Sequence, residues 1–239
     1  MRIRTWSTAL IAVALTATSC SENGIVNPGK SVPARARLDL PGGSAMVVIS
    51  QVYGGGGNSG ATWQNDYVEL FNAGTATQDV TGWSIQYTSA TGVGAFGAVG
   101  VNTQPTVLAG TIAPGQYYLV KESSNAAVGA VLPTADATGT ITMAAGAGKV
   151  ALVNQPASLG CNGGSSPCDP ITQLPHIIDL VGYGNTSGTS LANFFEGSGP
   201  APLISATLAD FRAGHGCTDT NNNASDFSTT TPAPRNSST

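Results

Sequence analysis

Asp66-Tyr-Val-Glu-Leu-Phe-Asn72 alternates along its length: Tyr67, Glu69 and Phe71 fall on one side of an extended chain, Val68 and Leu70 on the other. A period of two is the mark of a β-strand, because successive side chains leave a pleated backbone on opposite faces. The pattern repeats on both sides of this stretch. Upstream, Met46-Val-Val-Ile-Ser-Gln-Val-Tyr53 is a β-rich run broken by the glycines 54–57. Downstream, Gly82 precedes Trp83-Ser-Ile-Gln-Tyr87, where Trp83, Ile85 and Tyr87 share a side and Trp83 is expected to plug the space between two sheets. Val107-Leu108 and Thr111-Ile112 flank a turn, and Pro114-Gly115 leads into Gln116-Tyr-Tyr-Leu-Val-Lys121. Gly139-Thr-Ile-Thr-Met143 and Lys149-Val-Ala-Leu-Val153 read as a further pair, and Ile177-Ile-Asp-Leu-Val181 as the last strong strand. Residues 124–132 have room for a helical turn or two, and 203–212 fit no single pattern. Short strands punctuated by Gly and Pro specify an all-β sandwich.

Composition agrees. Of 239 residues 31 are Gly, and only 9% are charged, where an ordinary soluble domain has about 25%. Coiled coils and long helices need the opposite balance. The net charge is −4, and from residue 45 onward the basic residues are Lys121, Lys149, Arg212 and Arg235 alone. Duplex binding needs a clustered basic face, so direct nucleic-acid binding is not expected.

The N-terminus reads as an address. Met1-Arg-Ile-Arg4 is basic, Ala9-Leu-Ile-Ala-Val-Ala-Leu15 is apolar, and the small residues Ala17-Thr-Ser19 precede Cys20. This is a secretory signal, too short for an ordinary membrane span. Its end resembles a bacterial lipobox, with Ala17 where Leu is usual. The resemblance implies that Cys20 is the lipid-modified first residue of the mature chain. The alternative is an ordinary signal peptide cut nearby. Ser21 after the cysteine resembles the outer-membrane sorting pattern of Gram-negative bacteria. The expected organisation is a signal at 1–19, a Pro- and Gly-rich tether at 20–44, and one domain at 45–237.

Three motifs carry a family resemblance. Val48-Ile-Ser-Gln-Val-Tyr53, Asn65-Asp-Tyr-Val-Glu-Leu-Phe-Asn72 and Asp79-Val-Thr-Gly-Trp83 are similar to the lamin tail domain family. Ile112-Ala-Pro-Gly-Gln-Tyr-Tyr-Leu119 and Lys149-Val-Ala-Leu-Val153 continue this resemblance, and Asp179-Leu-Val-Gly-Tyr-Gly184, Gly216-Cys-Thr-Asp-Thr-Asn-Asn-Asn-Ala-Ser-Asp-Phe227 and Pro234-Arg-Asn-Ser237 resemble the family's secreted bacterial branch. The resemblance spans about residues 46–237. It implies an immunoglobulin-like β-sandwich that serves as an interaction module. Bacterial members are often fused to secreted nucleases or phosphoesterases or carried on surface proteins.

Motifs for chemistry are sparse. His176 and His215 have no nucleophile elbow to serve, and neither His-Glu-x-x-His nor paired Cys-x-x-Cys occurs. Gly92-Val-Gly-Ala-Phe-Gly97 matches a nucleotide-binding pattern in letters only, with no helix expected after it. Asp66 and Glu69 stand three apart on a strand and so point to opposite faces. Cys161 and Cys168 enclose Asn-Gly-Gly-Ser-Ser-Pro, a loop that folds back on itself, and are expected to form a disulfide in an oxidising compartment. Cys217 then remains as a lone buried thiol, or it pairs with Cys161 or Cys168. In Asp219-Thr-Asn-Asn-Asn-Ala-Ser-Asp226, the oxygens of Asp219, Asn221, Asn223 and Asp226 suggest a Ca2+ loop. The usual glycine and closing glutamate are replaced by Ala224 and Thr230. The preferred reading is that these side chains brace the loop on its own backbone, with Phe227 as its plug, and no cofactor is expected.

The expectation is a non-catalytic, lipid-anchored module that binds a protein partner at the bacterial cell surface or periplasm. Its rivals are a glycan-binding module using Trp63, Tyr53 and Tyr183, and an accessory subunit that targets a separately encoded secreted nuclease or phosphoesterase.

Overall fold

The computed structural model describes residues 46–100, 102–185 and 191–239. The signal, the tether and Cys20 lie outside them. The described residues form twelve strands in chain order: β1 Val47–Tyr53, β2 Tyr67–Asn72, β3 Gln78–Asp79, β4 Ser84–Ser89, β5 Thr106–Val107, β6 Thr111–Ile112, β7 Tyr117–Lys121, β8 Ala137–Thr138, β9 Gly148–Val153, β10 Ile177–Tyr183, β11 Ala209–Arg212 and β12 Phe227–Thr230. They form a six-stranded sheet ordered β12-β11-β1-β2-β7-β8, a four-stranded sheet ordered β10-β9-β4-β5, and the short pair β3-β6. This is the expected immunoglobulin-like sandwich. Among the described residues one α-helical turn occurs, Asn223–Asp226.

Between the sheets lie Val52, Val68, Leu70, Ile85, Val150 and Val181, all closed to solvent. Each such side chain contributes about 1.5–3 kcal/mol on burial. Trp83 differs from expectation. It precedes β4 and is only partly buried against this core, while Ile85 and Tyr87 behind it are buried.

Both outer faces are roofed as well, which simple alternation does not reveal. Every residue of β1 and β2 is buried. On the outside of the six-stranded sheet, Tyr53, Tyr67 and Leu119 form one apolar cluster, and Val48 and Phe71 another. On the outside of the four-stranded sheet, Ala151 and Val153 are covered by Phe96, Leu159 and Cys161 from the flanking loops. Cys161 and Cys168 are disulfide-bonded, as expected. Cys217 is also disulfide-bonded and is not the lone thiol expected.

Three sequence expectations change. Residues 139–143 form no strand. β9 pairs instead with β10 and β4, and β8 lies parallel to β7. No helix forms over 124–132. The ambiguous 203–212 segment supplies β11, which joins β1 to the unforeseen β12.

Two bulges shape the seam between the sheets. One interrupts the β1–β2 register between Ile49 and Gln51, and the other the β10–β9 register between Ile177 and Asp179. The first explains why Ile49 and Val52, three apart, both face the core: an extra residue switches the side on which later side chains emerge.

Candidate functional site

The seam is built around Arg212, whose side chain is fully buried. Its Nη2 donates to both oxygens of Asp179 at 2.9 and 2.7 Å, its Nη1 to Asp219 at 3.1 Å, and its Nε to the Ile49 carbonyl at 2.8 Å. Asp226 stands 3.6 Å away, and the Phe227 ring lies 4.6 Å beneath the guanidinium. Asp179 in turn accepts from the Ile49 N–H at 2.6 Å. The pair therefore stands in for a strand partner at Ile49. Burial pulls the Arg212 pKa down, but the surrounding carboxylates, Asp179 foremost, leave it above its ordinary value.

This arrangement accounts for the 219–226 loop. Asp226 accepts from the Thr220 N–H at 2.8 Å, the Thr220 hydroxyl at 2.6 Å and the Asn222 N–H at 3.3 Å. Asn223 turns inward, accepting from the Gly182 N–H and donating to the Leu180 carbonyl, each at 2.9 Å. Asn221 is exposed, with φ +53°. The four oxygen donors named from sequence thus do not point at one centre: Asp219 and Asp226 share the guanidinium, Asn223 braces β10, and Asn221 lies outside. Among the described residues, no group of three or more His, Cys, Asp or Glu is placed to hold a metal ion. The Asx bracing is present, with Phe227 as its buried plug.

Other groups with chemical potential are dispersed. His176 Nδ1 meets Asn154 Oδ1 at 2.8 Å on the surface. His215 sits in a tight turn with φ +60°, exposed. Asp66 is buried and accepts from the Gly56 and Met143 N–H groups, and burial raises its pKa to about 7. Glu122, also buried, accepts from the Ile141 N–H and is raised by burial to about 8. Lys149 is buried on the other sheet, donates to the Asn162 carbonyl and Asn193 Oδ1, and is lowered by burial to about 8. The aromatic platform is corrected too. Tyr53 and Tyr183 are fully buried, with hydroxyls donating to the Ala206 and Ala144 carbonyls, so only Trp63 of the three is partly open.

The surface feature that sequence reasoning missed is the docking of the C-terminal tail. After β12 the chain turns back over the outside of the six-stranded sheet, and each unit is gripped. Trp63 Nε1 donates to the Pro232 carbonyl at 3.0 Å. The Gln51 side chain takes both sides of Ala233, donating to its carbonyl and accepting from its N–H, each at 3.0 Å. Glu69, fully buried, accepts from the Arg235 N–H at 2.7 Å and from its Nη2 at 2.7 Å. The Arg235 guanidinium lies 3.7 Å over the Tyr117 ring and donates to its hydroxyl at 2.6 Å. Asp136 accepts from the Ser237 N–H and hydroxyl. Beside this tail lies an open cleft of about 690 Å³, lined by Trp63, Phe211, Arg212, His215, Pro234 and Arg235. The available signal was Pro232-Ala-Pro-Arg235, which ends on one of only four cations in the domain.

A family model described as Lamin Tail Domain matches residues 42–173. It stops before β10, β11 and β12, which complete both sheets. Among solved structures, the crystal structure of a DUF4876 family protein from Bacteroides thetaiotaomicron is similar, at a TM-score of 0.50 and 12% identity over 79% of this chain and 72% of that one. A search of curated proteins finds no match.

Proposed function

This chain belongs to the lamin tail domain family, and from that premise we propose that it is a non-catalytic interaction module that binds a protein partner at the bacterial cell envelope. The family is an immunoglobulin-like, non-enzymatic one. A lipid on Cys20 would hold the domain at the membrane, since acyl chains contribute about 0.8 kcal/mol per buried CH2.

One observation carries the reading: the open cleft is walled by Trp63, Phe211, His215 and a proline-rich tail, with no nucleophile beside a base. Aromatic and arginine-lined surfaces of this kind are the ordinary makings of a protein interface. The carboxylates nearest the cleft are held in ion pairs: Asp179, Asp219 and Asp226 with Arg212, and Glu69 with Arg235.

The test is crosslinked capture of the tagged full-length protein from its own envelope, read by mass spectrometry, with a His215→Glu chain as comparison. His215 is exposed on the cleft wall, so this change alters the surface and spares the core. Enrichment of a defined protein by the native chain, reduced by His215→Glu, is the expected result. A secreted hydrolase among the captured proteins would specify a targeting role. Recovery of background proteins alone, under efficient crosslinking, would overturn the reading.

A further inference from the structure

We propose that the outer face of the six-stranded sheet is a receptor for an extended Pro-x-Pro-Arg segment, occupied in this chain by its own tail and offered in trans to an exported partner carrying such a segment. The proposal rests on the interaction reading above and names the partner's chemistry.

The argument begins with the tail itself. Thr231 and Ala233 each precede a proline, which drives their backbone toward extended or polyproline geometry. Proline fixes its own φ near −65°. Such a segment has little conformational freedom to lose on docking and exposes its carbonyls without internal hydrogen bonds. Such segments dock in aromatic-lined grooves, and the free carbonyls and the arginine here add the need for a hydrogen-bond donor and a carboxylate.

The sheet and the loop before β2 supply each of these. Trp63 reads the Pro232 carbonyl, Gln51 reads both polar groups of Ala233, and Glu69 with Tyr117 reads Arg235. Gln51 and Glu69 are cross-strand neighbours on β1 and β2, so their side chains leave the sheet side by side. Both are completely buried beneath the tail. Gln51 Oε1 also accepts from the Tyr67 hydroxyl, which fixes the amide's orientation. Ser50, the bulged residue, donates to Glu69 Oε1 at 2.7 Å and fixes the carboxylate. The reading groups are therefore held by their neighbours on the sheet as well as by the tail.

The recognition is selective. The Glu69 carboxylate takes the arginine side chain through Nη2 and Nε and its backbone N–H together, and the guanidinium also stacks on Tyr117. A lysine cannot reproduce that fork or the stacking. The cleft beside the tail leaves space for flanking residues of a longer ligand.

Intramolecular occupancy sets the threshold for a partner. A tethered segment competes at an effective concentration in the millimolar range, so the native chain should accept a foreign segment weakly. Loosening the tail should raise the apparent affinity.

The test uses the full chain and fluorescein-labelled Thr-Pro-Ala-Pro-Arg-Asn-Ser, followed by anisotropy. An Arg235→Ala chain should bind this peptide at least ten-fold more tightly than the native chain. A peptide with Ala in place of Arg should bind that same chain at least ten-fold more weakly. A Pro234→Gly chain gives a second route to a loosened tail if Arg235→Ala misfolds, with near-UV circular dichroism as the check. No binding at millimolar peptide by a folded, loosened chain would overturn the proposal, as would equal binding of the Arg and Ala peptides. Concentration-dependent dimerisation of the native chain, reversed by the peptide, would make a second copy the occupant and overturn the separate partner. Envelope capture of a partner together with failure of the peptide would sink this inference and leave the interaction reading standing.

Discussion

Ile49 and Asp179 meet across the seam of the two sheets, the Ile49 N–H donating to the Asp179 carboxylate at 2.6 Å. The contact joins the two bulges, and Arg212 locks it from the other side. Arg212→Met should cost about 3–5 kcal/mol, because it leaves Asp179 buried without its countercharge. Arg212→Met combined with Asp179→Leu should cost less than the sum of the single changes, since two residues in contact are coupled. Urea unfolding of the four chains measures the coupling, and strict additivity would contradict it.

Stability should fall as pH rises from about 5 to 8. Folding raises Asp66 to about 7 and Glu122 to about 8, so the native state keeps protons that the unfolded chain releases from about pH 4. Their contribution is present in full below pH 4 and is lost as pH passes through 7 and 8. Asp210, whose carboxylate oxygens are buried with no hydrogen-bond partner, is raised by burial and adds to the same slope. Urea midpoints should show the decline, and Asp66→Asn and Glu122→Gln should each flatten it. A native midpoint constant over that range would contradict this account.

Above pH 8 the sign should reverse. Folding lowers Lys149 to about 8, so its burial disfavours the native state while it is charged. That penalty lifts between about pH 8 and 10.4, the ordinary lysine value. Lys149→Met should remove the rising limb in the same unfolding series. A limb unchanged in that variant would assign the effect to another group.

Replacing both Cys161 and Cys168 by Ala should cost about 2–3 kcal/mol, the range for a short disulfide-closed loop. The two are 7 positions apart. Asn162, inside that loop, provides one of the two acceptors of the buried Lys149 amine. The variant should therefore also acylate faster at Lys149, as peptide mass mapping would reveal. Unchanged labelling would show that the loop holds its place without the bond.

The N-terminal reading has its own test. Digestion without reduction decides it: a Cys20 peptide bearing acyl chains would support the anchor. A thioether to lipid and a disulfide use the same sulfur, so a Cys20 peptide joined to the Cys217 peptide would remove the anchor.

The sequence made the central strands legible because 66–72 and 83–87 alternate and 46–53 is a β-rich run. It hid β11 and β12 because their content is mixed: Asp210 faces the core beside Val52, and Arg212 is buried as one half of an ion pair. A local pattern cannot announce a charge whose countercharge lies 33 residues away in Asp179. The same holds for the tail. Glu69 looks like the polar position of a half-exposed strand until Arg235, 166 residues later, covers it. In the 219–226 loop the oxygen-rich spacing was plain, but spacing does not reveal that two of those oxygens serve a guanidinium.

The place of β1 in the six-stranded sheet has a mechanical consequence. The strand enters directly after the stretch assigned to the tether, and it lies between β11 and β2, antiparallel to both. Ladder hydrogen bonds run perpendicular to the strands. A pull along the chain at Met46 therefore loads them together in shear and cannot peel them one at a time. A domain held at its N-terminus against flow or a moving partner would resist at its strongest point, and extraction of β1 would have to rupture both ladders at once.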